Sequence, residues 1–187
     1  MNMNVRQLVG LGIALVVGLL LGWMVRGVAT YNSAATVVTP YSDWRTACPP
    51  ATEKDASCEV MQDIVDGKTK SEVARVAMLK EKGKLEFGVT MPFDVLLEPG
   101  IGIAVGTNPV QVFPYRTCNT VGCLAIVPID DKLAGQLKGA KDARLLLAGL
   151  DGKPVALPLS LKGYDDANRA FQSAQAKRTS WFWRLWS

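Results

Sequence analysis

Hydrophobic and polar positions divide this chain into three unlike stretches. Leu8 to Val25 is apolar throughout and sits between Arg6 and Arg26. As a helix rising 1.5 Å per residue it covers about 27 Å, close to a hydrocarbon core of about 30 Å. Apolar on every side, it has no polar face to leave in water, and a small domain lacks the surface to bury it. The pattern predicts one N-terminal transmembrane helix. From about Tyr41 to Gln175 the period changes to short alternating runs broken by Gly, Pro, Asn and Asp. Lys177 to Ser187 then mixes bases with aromatic residues.

The middle stretch reads as β structure. Tyr41–Cys48 alternates as a first strand, Pro49 and Pro50 stop it, and Cys58–Val65 forms a second. Val73–Lys80 and Lys84–Met91 pair across Gly83, with Leu85, Phe87, Val89 and Met91 on one face. Ile101–Val105 is a short apolar strand. Val110–Tyr115 is an edge strand, because Pro114 has no N–H to give a ladder. Leu124–Ile129 follows the Cys118–Cys123 loop. Asp130 or Asp131 caps a short helix through Leu133 and Leu137 that Gly139 ends. Ala143–Ala148 and Val155–Leu161 form a hairpin across Asp151-Gly152. A last helix begins at Gly163-Tyr164 and aligns Ala167, Ala170, Phe171 and Ala174. About eight or nine strands with near-regular turns predict a small β-sandwich or partly open barrel with two short helices.

The expected division is therefore residues 1–28 as membrane anchor, 29–40 as linker, 41–175 as β-rich domain and 176–187 as tail. A cleaved signal has a shorter apolar run, and here the best cleavage site, Ser33-Ala34-Ala35, lies well beyond Arg26. Trp23 falls at headgroup level near the outer end of the run. Gly10, Ala14, Gly18 and Gly22 recur every fourth residue, as in helices that pack closely in lipid, although glycine is common in membrane helices generally.

Composition narrows the chemistry. Net charge is +4 with bases and acids interleaved, which leaves no nucleic-acid footprint. The 187 residues contain no histidine, so Ser-His and Cys-His nucleophile pairs and imidazole metal ligation are excluded. Asp43, Glu59, Asp63, Glu86 and Asp94 are available for acid–base work, but no spacing singles out a pair. Gly100-x-Gly102-x-x-x-Gly106 misses the dinucleotide-binding spacing and runs into Asn108-Pro109 rather than a helix. No catalytic residue, cofactor or metal is expected.

The four cysteines allow three pairings, which sequence alone does not choose between. The short intervals favour Cys48–Cys58 and Cys118–Cys123 as structural disulfides, each removing about 2–3 kcal/mol of unfolded-chain entropy on the loop-closure account. Neither spacing suits a zinc knuckle or a Cys-x-x-Cys redox pair. Disulfides persist in the periplasm and not in the cytosol, which orients the chain with its N-terminus cytoplasmic and its main domain in the bacterial periplasm. At the other end, Trp181, Phe182, Trp183, Arg184 and Trp186 pack on the domain itself, or sit in a bilayer interface or partner groove, where Trp and Arg are enriched. The flanking bases favour the second, and the expectation is that the tail returns to the membrane surface.

Asp43-Trp44, Cys48, Cys58, Pro99-Gly100, Cys118-Asn-Thr-Val-Gly-Cys123 and Leu159-Ser-Leu-Lys-Gly-Tyr164, in that order, resemble the invasion-associated locus B family. The resemblance covers about Tyr41 to Gln175, and Cys-x-x-x-Gly-Cys after the Trp/Cys/Cys opening is its most specific part. It implies a bacterial envelope protein with a small exported β-domain, two structural disulfides and no established enzymatic activity. The anchor and the Trp-rich end depart from a simple secreted member. The expected function is thus a non-enzymatic, membrane-anchored protein that binds a partner, such as an accessory subunit of a membrane complex. The alternatives are a secreted invasion factor acting on host cells and, after it, a carrier of lipid or another hydrophobe.

Overall fold

The computed structural model describes residues 5–31, 35–50, 53 and 56–179. Helix α1 spans Val5–Tyr31, and its side chains are described at Gln7 and from Gly10 to Val25. Among the described residues no helix is long and apolar enough to cross a membrane. The expected span includes Leu8 and Val9, whose side chains lie outside the described set.

Eleven strands follow among the described residues, in two antiparallel sheets rather than a closed barrel. The larger sheet has the order β1 (Val37–Tyr41), β2 (Trp44–Cys48), β3 (Glu59–Val65), β4 (Glu72–Glu81), β5 (Lys84–Met91), β9 (Gly122–Pro128) and β8 (Tyr115–Asn119). The smaller has the order β11 (Pro154–Leu159), β10 (Ala143–Ala148), β6 (Ile101–Val105) and β7 (Gln111–Phe113). Helix α2 spans Asp131–Leu137 and helix α3 spans Tyr164–Thr179. The predicted β4–β5 hairpin closes through Lys82 and Gly83, both at positive φ (47° and 84°), the twist that suits a two-residue hairpin loop. Asp130 caps α2 by accepting the Leu133 N–H at 2.7 Å, and Gly139 follows at φ 87°.

Three expectations need correction. Val37 to Pro40, placed in the linker, form with Tyr41 a strand, paired from Val37 opposite Cys48 to Tyr41 opposite Trp44. The run Tyr41–Cys48 is accordingly a strand end, a turn and a second strand; Ser42 takes φ 59°, where no glycine announces the turn. Val110–Tyr115 breaks at Pro114: Phe113 ends β7 in the small sheet and Tyr115 begins β8 in the large one. A proline at that crossing removes a donor no ladder needs.

The core lies between the sheets. Alternate positions point inward from β3 (Val60, Gln62, Ile64), β4 (Ala74, Val76, Met78) and β5 (Phe87, Val89, Met91). Ile101, Ile103, Leu145 and Leu159 face them from the small sheet, and Leu133 and Leu137 of α2 join the same cluster. Helix α3 packs against β1, β2 and β3 and buries Tyr164, Ala167 and Phe171, each worth up to about 1.5–3 kcal/mol for the large apolar members. Asp165 and Asp166 in its first turn and Lys177 and Arg178 in its last oppose the helix dipole in the favourable sense. Gly163, at φ 85°, opens α3 where a Cβ would collide with the Tyr41 carbonyl, so only glycine lets the two chain segments pass.

Candidate interaction surfaces and the seam behind them

The polar groups of the molecule concentrate where β2, β3 and the chain after β11 meet. Trp44 is 1% exposed and its Nε1–H donates to the Ser160 carbonyl at 2.7 Å. Gln62, one of two buried polar side chains among the described residues, donates from Nε2 to the carbonyls of Ser160 (3.1 Å) and Asp43 (3.3 Å). Its Oε1 accepts the Ser160 N–H at 3.0 Å. Ser160 Oγ donates in turn to Asp43 Oδ2 at 2.6 Å. Behind this seam Trp44 meets Tyr164 edge-on with centroids 5.2 Å apart, and Phe87 lies 6.4 Å from Trp44 and 6.2 Å from Tyr164. Burial, with a smaller part from Asp165, pushes the Tyr164 phenol up to about 12. The residues Asp43-Trp44 and Leu159–Tyr164, noted in the sequence for resemblance, are thus the two sides of one junction.

Both expected disulfides are present, Cys48–Cys58 and Cys118–Cys123. The first ties the ends of β2 and β3, and Cys58 is fully buried. The second joins directly opposed residues of the β8–β9 hairpin, whose tip carries Val121 at 77% exposure. Gly122 is pressed against the Met91 carbonyl, leaving no room for a Cβ.

The candidate carboxylates do structural work or face solvent. Asp43 serves the seam. Asp63 lies between Arg45 (2.6 Å) and Arg75 (2.7 Å) on the outside of the large sheet. Partial burial there raises its pKa, but hydrogen bonds from Arg45 and Arg75 and their charge outweigh it, so the net shift is downward. Glu59 and Asp94 are exposed, and Glu86 stands opposite Leu79. Among the described residues no three His, Cys, Asp or Glu side chains gather as a metal ion requires.

The outer face of the small sheet is different in kind. Ala156, Leu146, Gly102 and Val112 stand opposite one another across β11, β10, β6 and β7. Of these, Leu146, Gly102 and Val112, with Val110, Pro99, Ala148 and Pro154, line an open apolar recess of about 310 Å³. Val112 is 61% exposed. Gly102 makes the floor: a Cβ there would lie 2.9 Å from Val110 Cγ1 and 3.2 Å from Leu146 Cβ. Sequence reading missed this face. Its one signal was a glycine inside the apolar strand Ile101–Val105.

Trp23 lies in α1 and is 64% exposed. Trp181, Phe182, Trp183, Arg184 and Trp186 lie outside the described residues.

These features define a small β-sandwich stapled by two disulfides. The chain belongs to the invasion associated locus B (IalB) family, whose pattern matches residues 44–172. Its fold is similar to the crystal structure of invasion associated protein B from Bartonella henselae. That similarity has a TM-score of 0.66 at 19% identity, over 75% of this chain and 99% of the other. No curated protein sequence matches the chain.

Proposed function

We propose that this protein is a non-enzymatic envelope protein that holds its β-sandwich on the periplasmic side of the inner membrane and there binds a protein partner. The observation that carries the reading is the open apolar face Ala156–Leu146–Gly102–Val112 on a domain whose buried Trp44 and Gln62 spend their polar groups within the seam. Contiguous apolar surface of this kind marks interaction sites on soluble domains. A hydrophobe carrier is the weaker alternative, because the recess opens on the outside of the small sheet rather than between the sheets. Membrane attachment is supported by α1, whose side chains from Gly10 to Val25 are uncharged and exposed. The Trp-rich tail is a second proposed membrane contact, and the two disulfides require an oxidising compartment.

The test is mild-detergent extraction and affinity purification of the full chain, side by side with Leu146→Asp. The reading expects a stoichiometric protein partner with the native chain and its loss with the variant, at unchanged melting temperature. If the same proteins accompany both, the apolar face is not the binding site.

A second reading, a secreted invasion-type factor, has one observation in its favour. Cleavage after Ala35 would leave β1 whole, since that strand begins at Val37. An intact mass beginning at Thr36 in the culture medium would establish it and exclude the anchor.

A further inference from the structure

Both ends of the described domain leave it at one pole. Strand β1 starts at Val37, directly opposite Cys48, so the chain arriving from α1 enters beside the Cys48–Cys58 disulfide. Helix α3 starts at the seam, where Tyr164 touches Trp44, and ends at that same disulfide. There Arg178 donates to the carbonyls of Pro49 (2.8 Å), Pro50 (3.3 Å) and Glu53 (2.8 Å), and Gln175 donates to Ser57 Oγ. The register extends the pole across the sheet. Val60 is opposite Met78 and Glu81 is opposite Lys84, so the β4–β5 turn with Lys80, Lys82 and Lys84 lies at the same end. The β3–β4 turn, with Lys68 and Lys70, lies at the other.

We infer that the sandwich stands end-on to the lipid surface, with the pole formed by Val37, Cys48–Cys58, the β4–β5 turn and the end of α3 against the headgroups. The inference rests on the proposed membrane attachment through α1 and adds to it the face that meets the bilayer. The points of attachment decide it. The chain arriving from α1 joins β1 at Val37, and the chain leading to the Trp-rich tail continues from the end of α3 at Thr179, so both segments assigned to lipid meet the sandwich at this pole and neither at the other. Glu59 and Glu81 accompany the three lysines there, so the contact requires no anionic lipid.

The arrangement also assigns the opposite end. Val65, Phe93 and Val121, each more than half exposed, belong to the pole that carries the β3–β4 turn, the exit of β5 and the β8–β9 tip. That end faces away from lipid.

The experiment uses the full chain in phosphatidylcholine vesicles doped with a lipid carrying a short amine-reactive headgroup. Flotation is followed by mass-spectrometric mapping of lipid adducts on lysine. Adducts on Lys82 and Lys84 are expected to exceed those on Lys68 and Lys70 several-fold, all four being exposed. Equal labelling of the two sets, or excess at Lys68 and Lys70, in a chain that floats overturns the end-on arrangement while leaving the attachment intact. A chain that fails to float overturns the attachment, and the orientation with it.

Discussion

The seam around Gln62 and the outer face of the small sheet are built from the same kind of alternating strand, yet they are opposites. At the seam, Trp44, Gln62, Ser160 and Asp43 close five mutual hydrogen bonds beside a cluster of three aromatic rings. On the outer face, Leu146 and Val112 flank a glycine and none of the described residues closes over the recess they line. Buried polar groups must be paired, so the seam admits one arrangement and fixes how β2, β3 and α3 meet. Exposed aliphatic side chains have no such demand, and the outer face is left available. The polar seam and the open apolar face thus belong to different parts of the fold.

The contrast is broken most severely at Trp44. Trp44→Ala removes a fully buried ring and leaves the Ser160 carbonyl with one donor fewer; a loss of about 3–5 kcal/mol is expected in urea unfolding. A loss below 1 kcal/mol would show that the seam is not where stability resides.

The two disulfides sharpen the comparison. Replacing Cys48 and Cys58 together by serine should cost about 2.7 kcal/mol from loop closure, plus the burial of serine at the Cys58 site, whereas Cys118 and Cys123 enclose a shorter loop worth about 2.1 kcal/mol. The larger fall in melting temperature should therefore follow the pair beside α3. The reverse order would place the weight of the fold at the β8–β9 tip.

Tyr164 gives the seam a pH signature. Its folded pKa, about 12, lies above the ordinary value of 10.0. The stability it contributes is complete below pH 10 and is lost as pH rises toward 12, because the unfolded phenol ionises first. Tyr164→Phe should flatten that alkaline decline, read as melting temperature against pH. Asp63 acts with the opposite sign. Its pKa is depressed, so its contribution is present above 3.8 and is lost as pH falls through the lower folded value.

The smallest effect belongs to the outer face. Val112→Ser changes a side chain that is 61% exposed, and unfolding free energy should move by no more than about 0.5 kcal/mol. A larger fall would mean that the face is part of the core.

Much of the fold was legible in sequence because period and punctuation are local. Phe87, Val89 and Met91 alternate and are buried, Gly83 and Asp151-Gly152 mark hairpins, and Asp130 caps α2. The cysteine pairs were legible because short intervals leave little room for other partners. The errors fell where local chemistry is silent. Ser42 turns without glycine, and Pro114, read as an edge residue, marks the passage from one sheet to the other.

Sequence by itself determined most of the strands, the favoured pairing of the cysteines, the apolar N-terminal run and the absence of histidine chemistry, since each depends on composition or on residues close together in the chain. Only the tertiary structure decided that Gln62 would meet Ser160, that Gly102 would floor an open face, and that Val37 and Arg178 would share one pole. Those meetings join residues up to 141 positions apart (178 minus 37). No periodicity reports such distances, because they are set by how two sheets and a helix divide one core between them.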